Sequence, residues 1–197
     1  MDTTMQAIAN LYKSEALFSS AHSALVFTFN FSMGYYDRPA MNKMAAPAFG
    51  TGKGLSGLDG AAQAGFIRAE LQSMGLLTEA FLTARIAPRS TVCECRHACC
   101  SGHTPNREWV DAIDILSRHA LSKLSGCLSH GQLRKAIVQR YFGVDIGLSE
   151  AADKCGVNKN TATDHNAKIT AAFKDEEAQC MELFEDRLVE LGIVESE

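Results

Sequence analysis

Leu148–Phe173 reads LSEAADKCGVNKNTATDHNAKITAAF, and the rest of the chain is best understood from it. In LSEAADKC, Leu148, Ala151, Ala152 and Cys155 fall on one side of a helix. Gly156-Val157 breaks that run, and a second helical run opens at Asn158. Ser149 is the expected N-cap of the first run and Asn158 of the second, because a short polar side chain accepts an orphan backbone N–H of the first turn. Helix, short glycine-containing turn, helix is the order of a DNA-binding helix-turn-helix. Ala152 is small where two helices approach closely. Gly156 supplies the backbone freedom of a tight turn, and Val157 and Ala162 are expected to face inward.

The outer side of the second helix then carries Asn158, Lys159, Asn160, Thr163, Asp164, Asn166 and Lys168. These are short hydrogen-bonding groups suited to base edges, with lysines for phosphates. The same pattern also describes an αα-hairpin in a helical core with a solvated polar face. His165 stands where such motifs often carry an aliphatic side chain.

Charge is distributed to match. The chain has a net charge of −4 over 197 residues, yet residues 131–174 hold seven cations against four anions. After Lys174 come nine acidic residues against Arg187 alone, so the acidity is largely a C-terminal segment. A mildly basic helix-turn-helix binds DNA with modest affinity and profits from a partner. With 46% hydrophobic and 21% charged residues the composition is that of a folded chain able to bury a core, in one domain or two small ones. No run approaches the roughly 18 apolar residues of a membrane span. The N-terminus has Asp2 and no basic n-region, which argues against a secretory signal and for a cytoplasmic protein.

Upstream, residues 2–20 carry apolar side chains at three- and four-residue steps and are expected to form an amphipathic helix. ALVFTFNF (24–31) suits either a strand or a buried helix. Tyr35-Tyr36-Asp37-Arg38-Pro39 looks like a loop, its tyrosines core packing or a stacking surface. In FGTGKGLSGLDG (49–60), Gly52, Gly54 and Gly57 match the dinucleotide fingerprint only formally, without the flanking strand and βαβ pattern, and a loop is expected. A long helical run starts at Asp59 and is interrupted near Gly75, with Ala62, Phe66, Ala69, Leu76, Phe81 and Leu82 as its buried side. Residues 106–125 form an amphipathic helix with Trp109, Ile113, Leu116, Ala120 and Leu124 inward. Residues 129–142 form another, with Leu133, Ile137 and Tyr141 inward, Gly143 closing it, and Arg134, Lys135 and Arg140 on a basic side.

PRSTVCECRHACCSGHTPN (88–106) is the second chemical feature. Four of the seven cysteines crowd into eight positions, with His97 among them and His103 just after, which suits reduced thiols or a metal better than a disulfide framework. Soft thiolates with imidazole select zinc first, in a closed four-ligand structural site. Either Cys93, Cys95, Cys99 and Cys100 close it alone, or His103 or His97 replaces one of the adjacent pair. The other readings are reduced thiols in a loop or a redox switch. Glu94 and Glu108 are the carboxylates at hand, and no Ser/His/Asp set or carboxylate pair at a diagnostic spacing points to an enzyme.

Together, the cysteine loop and LRKAIVQRYFGVDIGLSEAADKCGVNKNTATDHNAKITAAF bring a family into view. The second segment resembles region 4 of sigma factors, and the chain from Cys93 to Phe173 is similar to the antitermination protein Q of lambdoid phages and prophages. Its cysteines lack the paired CxxC spacing of the best-known member. The resemblance implies a mainly α fold: a helical bundle with a C-terminal sigma-region-4-like helix-turn-helix and a zinc-binding loop insertion. By its own patterning the chain divides into a helical region with a glycine-rich loop (1–90), the zinc loop (91–106), the helical DNA-binding region (107–174) and an acidic helix (175–197). The resemblance also implies a protein of the bacterial host cytoplasm that binds double-stranded DNA within a phage late promoter. There it engages paused RNA polymerase with its sigma factor, and then travels with the enzyme, making it resist pausing and termination. By that analogy Asn158, Lys159, Asn160, Thr161, Thr163, Asp164 and Lys168 contact the DNA site, and Arg134, Lys135 and Arg140 hold phosphates. The zinc is structural, and nascent RNA and a second copy on the complex are further partners to test. A helix-turn-helix promoter regulator or sigma-like factor would use the same residues, and a terminase small subunit is a more distant alternative.

Overall fold

The structure, a computed structural model, describes residues 16–36, 57–93, 95, 100–124 and 129–195. Among them it is mainly helical. The helices are α1 (Ala21–Tyr36), α2 (Gly57–Ser73), α3 (Leu76–Ile86), α4 (Arg107–His119), α5 (Gly131–Tyr141), α6 (Leu148–Lys154) and α7 (Lys159–Glu190), with a 3₁₀ turn at Ala120–Leu124. Two short strands, β1 (Ser90–Val92) and β2 (His103–Pro105), pair antiparallel, Thr91 opposite Thr104. No helix among the described residues is long and apolar enough to cross a membrane.

The chain divides into two compact units, Met1–Ile67 with Glu182–Glu197, and Arg68–Met181. In the first, ALVFTFNF is helix and not strand: it lies within α1, which buries Leu25, Phe27 and Phe29. Tyr35 and Tyr36 belong to the last turn of α1, where a loop was expected. The amphipathic helix expected over 2–20 falls mostly outside the described residues. Its last part is not helical, since Phe18 forms a parallel bridge with Val194 and its amide donates to the Ile193 carbonyl at 3.0 Å. The glycine-rich loop likewise lies outside the described residues up to the start of α2 at Gly57.

The second unit is built around one apolar cluster. It takes Ala80, Phe81 and Ala84 from α3, Trp109, Ala112, Ile113 and Leu116 from α4, and Leu133, Ile137 and Val138 from α5. Ala151 and Ala152 of α6 and Ala162, Ile169 and Phe173 of α7 complete it. Trp109, Ile113, Leu116, Ala120, Leu124, Leu133 and Ile137 are buried as their spacing predicts, whereas Tyr141 is half-buried. The indole N–H of Trp109 also reaches across to the Ala84 carbonyl at 3.1 Å, so its one polar atom is satisfied. Asn106 caps α4 by accepting from the Glu108 amide at 3.1 Å.

Along α2 and α3 the buried face differs from the one the sequence suggested. Ala64, Ile67 and Leu71 are buried, whereas Ala62, Phe66, Ala69 and Leu76 are exposed. Both stripes repeat at three- and four-residue steps in this alanine-rich run, so periodicity alone offers two phases. Phe81 and Leu82 are buried as expected.

Candidate nucleic-acid interface and cysteine cluster

α6, the turn at Gly156 and the start of α7 stand in the helix, turn, helix order expected over Leu148–Phe173, with α5 before them. α6 is capped at Gly147 without a side-chain bond, so Ser149 lies inside the helix and is not its cap. The C-terminal end of α6 closes in a Schellman arrangement. The Val157 amide donates to the Ala152 carbonyl at 2.9 Å and the Gly156 amide to the Asp153 carbonyl at 3.2 Å. Gly156 has φ 65°, the left-handed conformation this closure requires. α5 ends the same way at Gly143, with φ 82°, and the Arg89 guanidinium donates to the Phe142 carbonyl at 2.7 Å beside it.

Asn158 is the cap of α7: its Oδ1 accepts the Asn160 amide at 2.8 Å. Inward from there, Ala162, His165, Ile169 and Phe173 recur at three- and four-residue steps and are all buried. His165 therefore occupies an aliphatic's place in the core. On the outward side Asn158, Lys159, Asn160, Thr161, Thr163, Asp164 and Lys168 are exposed and Asn166 is half-buried. The helix thus presents one polar, accessible face over its first turns.

The cations are more committed than the sequence suggested. Lys159 Nζ lies 3.4 Å from Asp153 and Lys168 Nζ 2.8 Å from Asp164. On α5, Arg134 is half-buried and donates to the Ser117 carbonyl at 2.6 Å and the Ser129 hydroxyl at 2.9 Å. Lys135 pairs with Asp114 at 2.5 Å, and Arg140 donates to the Ile146 carbonyl at 2.7 Å. All three residues expected on phosphates also hold their own fold, a use invisible in a charge count.

β1 and β2 were not expected; the segment looked like a loop. Their pairing, extended by a bond from the Cys93 amide to the Gly102 carbonyl at 2.8 Å, folds the cysteines back on themselves. The sulfurs of Cys93, Cys95 and Cys100 lie within 4.8 Å of one another, close enough to hold one metal ion. Cys99 and His97 lie outside the described residues, and His103, on β2, is not part of the group. The Cys93 thiol is drawn down to about 7, first by the Cys95 backbone amide and then by the Cys95, Cys100 and Thr104 side chains. For Cys100 the Gly102 amide favours the thiolate, but the neighbouring Cys95 and Cys93 outweigh it and push the value up. The two shifts favour the Cys93 thiolate over that of Cys100, and a thiolate is the form of cysteine that reacts or ligates. Cys93, Cys95, Cys100, Cys155 and Cys180 are all free thiols.

No family model, no curated protein and no solved structure matches the chain.

Proposed function

We propose that this chain is a phage late-gene transcription antiterminator, acting in the cytoplasm of the bacterial host. It binds promoter-proximal double-stranded DNA through α7, engages RNA polymerase paused with its sigma factor, and makes the enzyme resistant to pausing and termination. The observation that carries the DNA half of this reading is the accessible polar face at the start of α7, set off from α6 by the glycine turn at Gly156. The polymerase half rests on the resemblance of residues 93–173 to the Q family.

The cysteine cluster fits zinc. A tetrahedral zinc with bonds of about 2.3 Å holds its sulfurs about 3.8 Å apart, which falls inside the 4.8 Å that encloses those of Cys93, Cys95 and Cys100. Thiolate-rich donors favour that ion. A closed structural site takes a fourth ligand, for which Cys99 is the nearest sequence candidate and His97 the other. The zinc would brace the β1–β2 hairpin and take no part in a reaction.

An ordinary promoter regulator is the second reading, because the same helix face serves either protein. The two separate on an immobilised template. Polymerase is walked past the promoter, the beads are washed, and the elongation complex is probed for this chain. Retention with the moving enzyme supports antitermination; loss at promoter escape supports the regulator.

A further inference from the structure

Exposure and bonding divide the residues of α7 by what they can still do. Asn158 uses its carbonyl oxygen to cap the helix. Lys159 and Lys168 are paired with Asp153 and Asp164. Thr163 turns its hydroxyl onto the Lys159 carbonyl at 2.9 Å, leaving its methyl as the outward group. Directly opposite the buried Ala162, His165 and Ile169, the exposed positions are Asn160, Asp164 and Ala167 at four- and three-residue steps. No arginine occurs between Lys159 and Thr170. Opposite the core the helix therefore offers the Asn160 carboxamide, the Ala167 methyl with that of Thr163 beside it, and the paired Asp164 carboxylate, with Thr161 and the two lysines to the flanks.

That set is poor in the donors that select guanine and well supplied with those that select A·T pairs. Guanine is read by Arg or Lys on O6 and N7, adenine by an Asn or Gln carboxamide on N6 and N7, and thymine by apolar contact with its C5 methyl. We infer that α7 reads A·T pairs in the major groove: Asn160 pairs with an adenine edge, and Ala167 and Thr163 pack on thymine methyls. The inference rests on the DNA-binding reading of α7 and adds which bases it recognises.

The test is selection of a duplex from a randomised library by the full chain, followed by atomic substitution in the selected site. Thymines are replaced by uracil, which removes only the methyl, and adenines by 7-deazaadenine, which removes N7. The expected site contains A·T steps, at least one of which loses about tenfold in affinity on 7-deaza substitution, at the low end for a bidentate base contact. In Asn160→Ala that same substitution costs nothing further, and thymine-to-uracil changes weaken binding a few-fold in both proteins. A selected site that depends on G·C pairs, or one indifferent to both analogues and to Asn160→Ala, overturns the A·T assignment while leaving DNA binding in place. Failure to enrich any duplex overturns the DNA-binding reading itself, and the assignment with it. Asn160 is exposed in the first turn of a long helix, so its truncation leaves the core intact. Circular dichroism of the variant verifies this.

Discussion

The Arg85 guanidinium forks onto the Glu177 carboxylate: Nη2 donates to Oε2 at 2.6 Å and Nε donates to Oε1 beside it. The Tyr141 hydroxyl donates to the same Oε2 at 2.6 Å, and the guanidinium lies 5.2 Å from the Tyr141 ring centre and 5.0 Å from that of Phe142. One carboxylate on α7 thus gathers α3 and the end of α5. This junction adds to the apolar side in positioning the helix that bears the candidate DNA face. Burial, then the hydrogen bond to Glu177 and its charge, push the Tyr141 phenol up from its ordinary value.

Glu177→Ala strands both donors. Tyr141 is half-buried and Arg85 about one-third exposed, so water repairs part of the loss. The expected cost is about 1–2 kcal/mol, read as a lower urea midpoint. An unchanged midpoint would mean the fork contributes nothing net.

Acid titration should expose the neighbouring residue. Glu176 accepts from the Lys123 ammonium and lies 2.8 Å from His119 Nε2. Burial works to raise its carboxyl, but those two partners outweigh burial and hold it below the ordinary 4.5. The native protein therefore binds this proton more weakly than the unfolded chain does. The contribution to stability is complete above pH 4.5 and fades as pH falls below it through the lower native value. Glu176→Gln is expected to flatten that part of the stability profile, and a variant with the wild-type acid slope would contradict the assignment.

Gly156→Ala probes the turn. A Cβ there meets nothing within 4 Å, so the cost is the left-handed backbone alone, about 1–2 kcal/mol. Thermal melting should show it. Asn in the same position is expected to cost less, since Asn tolerates that conformation.

Zinc content is predicted at one ion per chain, falling to none in Cys93→Ser or Cys100→Ser, by metal analysis of the purified protein. After chelation, iodoacetamide labelling should follow the thiolates: Cys93 half-ionised near pH 7 and modified ahead of Cys100. Equal labelling of the two would contradict the hydrogen-bond pattern at the hairpin.

The elements legible in the sequence were those with one answer at every level. For α4 and α5 the apolar spacing and the Gly143 stop agree, and Asn158, Gly156 and Ala162 took the places their chemistry suggests. The α2 stripe was ambiguous because small residues offered two helical phases, and tertiary contacts chose the one through Ile67. ALVFTFNF carries β-prone residues but became helix, packing having overridden propensity. Ser149 lost the capping role because α6 starts earlier, at Leu148 after Gly147. The β1–β2 hairpin left little trace, with three residues in each strand and Gly102 as its one turn signal. At the site, the outward residues of α7 could be read from period alone. The binding of Arg134, Lys135 and Arg140 to nearby carbonyls and carboxylates could not, because those partners are set by the tertiary fold.

The proposed antitermination is tested most directly by transcription in vitro from a candidate phage late promoter of the genome that encodes the chain, with a terminator downstream, with and without the chain. Readthrough that requires both the protein and the promoter-proximal DNA is the predicted result. A changed initiation rate with termination unaltered would contradict it and leave a promoter regulator in its place.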